Sequence, residues 1–86
     1  MTILVIYDLT SDKERDRLAN LCLDFGLARI QYSAFLGDLS SRLKQRFLDE
    51  LGERPFGTGS NIQVFSLEQD WQKRRIVVAV KPGNLV

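Results

Sequence analysis

Hydrophobic and polar positions divide the first third of the chain into a strand and a helix. Residues 3–7 form an apolar run with the length and β-branched content of a buried strand, and Asp8 follows it directly. Apolar residues at positions 18, 21, 22 and 25 then share one helical face. Ser11 and Glu14 give this helix a capping-box start, and Gly26 is a suitable left-handed stop. The pattern therefore predicts a strand followed by a helix between Ser11 and Gly26.

The rest of the chain contains a longer alternating segment, a second helix and two further strands. Residues 28–36 alternate strictly, which indicates either one long strand or two strands joined by a tight bend near Ser33. Neither Asn-Gly nor Asp-Gly marks such a bend, so both interpretations stay open. A helical apolar pattern runs from Leu39 to Leu51 and stops at Gly52. After a loop that contains proline and glycine, residues 61–67 and 75–80 are predicted to be strands.

The order of these elements predicts the fold class. With the middle segment split, the chain is β-α-β-β-α-β with an additional C-terminal strand, an α+β arrangement of the ferredoxin-like type. Such a fold packs two helices on one face of an antiparallel sheet and leaves the other face open. Depending on register, that open face carries Tyr7, Phe35 or Phe65. We therefore expect a homodimer packed sheet face to sheet face, with the additional strand extending an edge of this sheet or of the partner's.

The length of the chain and the length of its apolar segments indicate its domain organisation. Residues 1–81 are predicted to form a single ferredoxin-like domain and residues 82–86 a flexible tail. No segment approaches the apolar length that spans a membrane, and the N-terminus has neither a basic region nor a small-residue cleavage site. We therefore expect a cytoplasmic protein. The only cysteine, Cys22, lies in the helical apolar pattern, which favours a core residue over a reactive thiol.

Candidate chemistry centres on Asp8. The chain has no histidine and one cysteine, so hydrolysis would depend on carboxylates and a metal ion. A carboxylate directly after a strand lies at the rim of the sheet, where a metal or a substrate can be reached, but the same position also suits an ordinary turn residue. Asp12 and Asp38 occupy positions typical of helix starts and are assigned no metal role. The net charge of +1 means that nucleic-acid binding would need local arginine clusters.

Three features of the sequence occur together in the first half of the chain. Tyr7-Asp8 ends the first strand, arginines stand at positions 15 and 17 in the first helix, and the pattern R-x-Q-x-S-x-F-x-G runs from Arg29 to Gly37. Together they resemble the small CRISPR-associated endoribonuclease family, the compact partners of the CRISPR spacer integrase. The resemblance covers nearly the whole chain, except that residues 71–75 and the tail match no firm family pattern.

The resemblance implies a ferredoxin-like homodimer that binds nucleic acid. In that family the strand-terminal aspartate, here Asp8, is the metal-site residue, and two copies share one Mg²⁺ across the dimer. Family positions that match Arg15, Arg17, Arg29 and Phe35 are implicated in activity or in shaping the site. Family members are described as nucleases on single-stranded RNA or double-stranded DNA, and also as non-catalytic bridges between integrase dimers.

Each of these residues also has a simpler interpretation. Arg15 and Arg17 suit a solvated helix face, and Arg29 suits a cross-strand ion pair. For Phe35, packing in the sheet or in the dimer core is favoured over contact with a base. The basic residues of the second helix and the run 73–75 suit either a DNA backbone or ordinary surface charge.

On the resemblance to this family, we expect a CRISPR adaptation protein. It would be a dimeric, nucleic-acid-binding, Mg²⁺-dependent endonuclease (an endoribonuclease, with DNA as a further substrate) that partners the spacer integrase in spacer acquisition. A purely architectural role stays open, because a pair of aspartates supplies few groups for catalysis. A non-catalytic ferredoxin-like RNA-binding module is the other interpretation, although no RNP-type Lys/Arg-Gly-Phe string occurs. A small-molecule regulatory domain lacks support, because Gly57-Thr58-Gly59 is a weak signal.

Overall fold

The described part of the chain, residues 1–78 of this computed structural model, contains four strands and three helices. They are β1 (Thr2–Asp8), α1 (Asp12–Asp24), β2 (Ala28–Gln31), β3 (Ala34–Asp38), α2 (Ser41–Gly52), β4 (Asn61–Leu67) and α3 (Trp71–Arg74). The strands form one antiparallel sheet in the order β2-β3-β1-β4. This order confirms the predicted ferredoxin-like β-α-β-β-α-β arrangement.

The alternating segment in the middle of the chain is two strands, joined by a turn at Tyr32 and Ser33. The β2–β3 register shifts between Arg29 and Gln31, which marks a bulge. No non-glycine residue in the described range has a positive φ, so the turn is not of the kind that Asn-Gly marks. The absence of that dipeptide was therefore compatible with a hairpin.

The helix α1 begins where the sequence predicts, directly after Ser11, whereas α2 begins at Ser41, two residues after the start of the apolar pattern at Leu39. The Ser11 hydroxyl accepts a hydrogen bond from the Glu14 backbone N–H at 3.2 Å, and the Ser40 hydroxyl accepts one from the Leu43 backbone N–H at 3.1 Å. These bonds satisfy backbone donors that have no partner inside the first helical turn. Gly26 follows α1 with a φ of +84°, the left-handed conformation that glycine adopts without strain.

The core lies between the helices and one face of the sheet. Its largest buried side chains are Ile3, Val5, Leu18, Cys22, Phe35, Leu39 and Phe47. Burial raises the pKa of the Cys22 thiol to about 12. The prediction of Cys22 as a core residue is confirmed, because a thiol held neutral in this way packs as a small apolar group.

The opposite face of the sheet is open within residues 1–78 of the single chain. Leu4 is paired with Leu36 on β3 and with Phe65 on β4, and the alternation of β1 turns these three side chains away from the helices. Phe65 is 42% exposed, whereas Tyr7 at 7% and Phe35 at 0% lie on the helix side. Of the three aromatic candidates for the open face, the register therefore selects Phe65.

The C-terminal part of the chain differs from the sequence prediction. Residues 75–78 form no strand, and the remainder of the predicted strand, residues 79–80, lies outside the described range, as does the predicted tail. Ile76 is 85% exposed and Val78 is 93% exposed. An extended segment becomes a strand only when its backbone groups find a partner edge, and none pairs with it within residues 1–78. No helix in that range is long and apolar enough to cross a membrane.

Candidate functional site

Asp8 is the last residue of β1 and is exposed at the rim of the sheet. It pairs with Asn61, the first residue of β4, and strand alternation places both side chains on the open face. Within residues 1–78 the Asp8 carboxylate makes no hydrogen bond and no ion pair. The predicted metal-site residue therefore lies unpaired on the face for which the sequence predicts a second protomer.

Two amide side chains adjoin Asp8 on this face. Gln63 follows Asn61 by two positions on β4, so both point the same way. The Nε2 atom of Gln63 donates a hydrogen bond to Oδ1 of Asn61 at 2.9 Å. Sequence reasoning missed Asn61, because its proximity to Asp8 depends on the β1–β4 register, which no local pattern reveals. The only feature of the sequence that could have indicated it is that a polar residue, Asn61, begins the strand that pairs with β1.

Arg15 is held against the backbone that directly follows Asp8. Its Nη1 atom donates to the carbonyl oxygen of Leu9 at 2.5 Å, and its Nη2 atom forms an ion pair with Asp12 on the same helix. The side chain is 26% exposed. The hydrogen bond to Asp12 raises the pKa of Arg15, which keeps the guanidinium charged. Arg15 is thus fixed near the end of β1 instead of extending freely from a solvated helix face.

Arg29 covers the ring of Phe35. Its guanidinium carbon lies 4.8 Å from the ring centroid, and its Nη1 atom donates to the carbonyl oxygen of Tyr32 at 2.5 Å. The rings of Tyr7 and Phe35 stack with centroids 6.4 Å apart. Burial raises the pKa of Tyr7, although the nearby Arg29 charge opposes that rise. Phe35 is fully buried and therefore cannot stack on a base, and Arg29 makes no ion pair with any residue in the described range.

The two arginines share a groove of about 290 Å³ on the helix side of the sheet. Its lining comes from β1, α1 and the β2–β3 hairpin and consists of Tyr7, Asp12, Arg15, Asp16, Arg29 and Tyr32. Neither arginine forms an ion pair with Asp8. The structure therefore brings Arg15 and Arg29 together in one groove, which Tyr7 also lines. Asp8 follows Tyr7 in the sequence, but its side chain lies on the opposite face of the sheet.

Arg17 has a different environment. Its Nη2 atom donates to the carbonyl oxygen of Pro55 at 2.7 Å, and its guanidinium carbon lies 5.6 Å from the centroid of the Phe56 ring. On the same helix, the Glu14 carboxylate accepts a hydrogen bond from the Gly57 backbone N–H at 2.8 Å. These contacts attach the loop before β4 to α1. Arg17 thus lies apart from the groove, and it fixes the segment that leads into Asn61.

The remaining basic residues are spread over the surface. Arg46 lines a groove together with Asp24 and Glu50, so its surroundings are of mixed charge. Arg74 donates to the Asp70 carboxylate at 2.9 Å. Residues 1–78 contain no group of three or more His, Cys, Asp or Glu side chains that could hold a metal ion. Asp8 therefore belongs to no such group in the described range.

Comparisons with known proteins agree with this architecture. The family model described as CRISPR associated protein Cas2 matches residues 1–75. The CRISPR-associated endoribonuclease Cas2 2 of Chloroflexus aurantiacus is 45% identical over 78 residues, which cover 90% of this chain and 92% of that protein. The crystal structure of Streptococcus pyogenes Cas2 at pH 6.5 superposes with a TM-score of 0.77 at 25% identity, covering 92% of this chain and all of that one.

A further relative carries two proteins in one chain. The CRISPR-associated endonuclease Cas1/endonuclease Cas2 fusion of Thermoproteus tenax is 32% identical over 69 residues, which cover 80% of this chain and 26% of the fusion. The family model spans β1 to the end of α3, so it includes Asp8, both groove arginines and the whole sheet. The chain belongs to the CRISPR-associated protein Cas2 family.

Proposed function

We propose that this protein is a CRISPR adaptation protein that acts as a homodimeric, Mg²⁺-dependent endonuclease on nucleic acid, with single-stranded RNA as its first substrate. The relative from Chloroflexus aurantiacus is named an endoribonuclease, which supports this activity. The observation that carries the proposal is the position of Asp8, unpaired within residues 1–78 at the edge of an open sheet face.

The open face of the sheet supports the proposed dimer. Leu4, Leu36 and Phe65 lie side by side there, and an apolar surface of this kind is stabilised when a second copy covers it. Two-fold symmetry places the same patch on both protomers, so each residue near the axis meets its own copy. Asp8 lies on the same face, which makes it the residue that a face-to-face dimer can duplicate within one site.

A Mg²⁺ ion suits such a site. Its preferred ligands are carboxylate oxygens and water, and two Asp8 carboxylates would repel each other without a cation. When bound, the ion supplies a Lewis acid and an activated water for phosphodiester hydrolysis. The chain has no histidine to take over these tasks. The Asp8 side chains would hold the ion and thereby fix the position at which the strand is cut.

The groove arginines suit the phosphate backbone. Arg29 uses one of its N–H groups on the Tyr32 carbonyl, and a guanidinium carries five, so further donors remain for phosphate oxygens. The contact between the guanidinium and the Phe35 ring restrains the position of this side chain. Arg15 places a second positive charge in the same groove. Together they would hold the nucleic acid at the end of β1.

The spacer integrase is the proposed protein partner. The Thermoproteus tenax relative joins a Cas1 endonuclease and a Cas2 endonuclease in one chain, which supports joint action on one nucleic acid. An architectural role without cleavage is the second candidate. It is favoured because Asp8 belongs to no group of three or more metal-ligating side chains within residues 1–78, and few acidic groups supply little acid–base chemistry.

The test is the near-isosteric substitution Asp8→Asn. We expect cleavage of single-stranded RNA and double-stranded DNA to fall at least about a hundredfold, because the metal loses its charged ligand. Asp24→Asn is the matched control, since it removes an exposed carboxylate from the end of α1 and should leave cleavage unchanged. Unchanged cleavage by Asp8→Asn would overturn the catalytic proposal. Normal spacer acquisition combined with lost cleavage would favour the architectural role.

A further inference from the structure

The two amide side chains that adjoin Asp8, Asn61 and Gln63, have no role in the proposed mechanism. Asn61 is the direct ladder partner of Asp8, and side chains at such positions have Cβ atoms about 4.5–5.5 Å apart. Asn61 is exposed on the open face, beside the carboxylate that makes no hydrogen bond within residues 1–78. Any ligand that reaches Asp8 from this face therefore also meets Asn61.

The hydrogen bond from Gln63 orients the amide group of Asn61. It engages one lone pair of the amide oxygen at 2.9 Å, while the two N–H donors of the NH₂ group make no hydrogen bond within residues 1–78 and are available to a ligand. An NH₂ group donates hydrogen bonds and does not ligate a metal cation. Its natural acceptor at this site is an anionic oxygen, and the oxygen that a nucleic acid brings there belongs to a phosphate.

The absence of charge on Asn61 fits a site that holds a cation and an anion together. A lysine or arginine at this position would repel a metal ion held by Asp8. An aspartate would repel the phosphate. A neutral donor permits both ligands to bind at neighbouring positions.

The loop that precedes Asn61 also helps to fix the position of this residue. The preceding loop is attached to α1 by the bond from Gly57 to Glu14 at 2.8 Å and by the bond from Arg17 to Pro55 at 2.7 Å. The Ser60 backbone N–H then donates to the Gly57 carbonyl at 3.2 Å. The start of β4 is thus held in place before a ligand arrives, which lowers the entropic cost of binding.

We propose that Asn61 is a further binding residue of the Asp8 site, whose side-chain NH₂ donates a hydrogen bond to a phosphate oxygen of the bound nucleic acid. This assignment rests on the proposed function, since it places the nucleic acid at Asp8. It also gives Arg17 and Glu14 a positioning role, because they fix the loop that leads to Asn61.

The decisive variant is Asn61→Asp, which keeps the shape of the side chain and adds a second carboxylate beside Asp8. Two measurements should then change in opposite directions. The Mg²⁺ concentration at half-maximal thermal stabilisation should fall, because the site gains a charged oxygen ligand. The affinity for a fluorescent single-stranded RNA, titrated without Mg²⁺ so that it is not cut, should weaken by about tenfold or more, because a donor is replaced by a like charge.

Three further variants make the result interpretable. Asn61→Ala should weaken RNA binding without lowering the Mg²⁺ midpoint, and Gln45→Ala, which removes an exposed amide from α2, should change neither. If Asp8→Asn leaves the Mg²⁺ midpoint unchanged, the proposed function fails. If Asp8→Asn abolishes the Mg²⁺ response while Asn61→Asp leaves RNA affinity unchanged, only the assignment of Asn61 is overturned.

Discussion

The guanidinium carbon of Arg29 lies 4.8 Å from the centre of the Phe35 ring, and the ring beneath it is fully buried. The pair joins β2 to β3 at a ladder position and forms part of the core side of the sheet. Arg29 therefore depends on Phe35 for its orientation, while Phe35 has no surface left for a ligand. The two residues should respond very differently to substitution.

Phe35→Ala should act on stability and not directly on chemistry. Removing a buried ring leaves a cavity, which lowers the free energy of unfolding by about 3–5 kcal/mol. Phe35→Leu keeps most of the volume and should cost less than about 1.5 kcal/mol. Urea unfolding followed by circular dichroism measures both values. If Phe35→Ala unfolds like the unmodified protein, the core assignment of this ring is wrong.

Arg17→Ala should loosen the loop before β4. It removes the bond to the Pro55 carbonyl and the contact with the Phe56 ring, which together stabilise the fold by about 1–2 kcal/mol. Backbone hydrogen exchange should accelerate at the start of β4 more than in β1. Arg42→Ala removes an exposed arginine from α2 and serves as the control. Equal exchange rates for both variants would remove the positioning role from Arg17.

Phe65→Lys should separate the protomers without unfolding them. Phe65 is 42% exposed on the open face, so a lysine there adds two like charges to a face-to-face dimer while leaving the core intact. Light scattering after size exclusion should give the mass of a monomer, and circular dichroism should stay unchanged. Leu23→Lys, on α1 and 55% exposed, should remain dimeric. A dimeric Phe65→Lys protein would place the dimer interface elsewhere.

Cys22 should make stability depend on pH in the alkaline range. Its pKa is raised from 9.0 to about 12 in the folded protein, so the thiol ionises earlier in the unfolded chain. The stabilisation is complete below about pH 9 and is lost as the pH rises towards 12, by up to about 1.4 kcal/mol per pH unit. Unfolding of the unmodified protein and of Cys22→Ala across this range isolates the effect. Parallel pH profiles for the two proteins would contradict it.

The sequence predicts features that depend on residues close together along the chain, and it leaves open those that depend on distant residues. Caps such as Ser11, the strand ending at Asp8 and the helical face around Cys22 are local patterns, and the structure confirms them. The placement of Arg17 on the loop at Pro55 and of Asn61 beside Asp8 depends on contacts 38 or more residues apart along the chain, which no local pattern encodes. The local pattern also predicted a strand after α3 that residues 75–78 do not form, because a strand there needs a neighbouring strand with which to pair.

The central claim is that each Asp8 is half of a site completed by a second protomer. Dimers with one intact chain and one Asp8→Asn chain, purified through two different tags, test it most directly. If the two carboxylates share one Mg²⁺, the mixed dimer should cleave single-stranded RNA far below half the rate of the unmodified dimer, close to the doubly substituted protein. A mixed dimer that retains half of the activity would contradict the account, because each protomer would then carry a complete site.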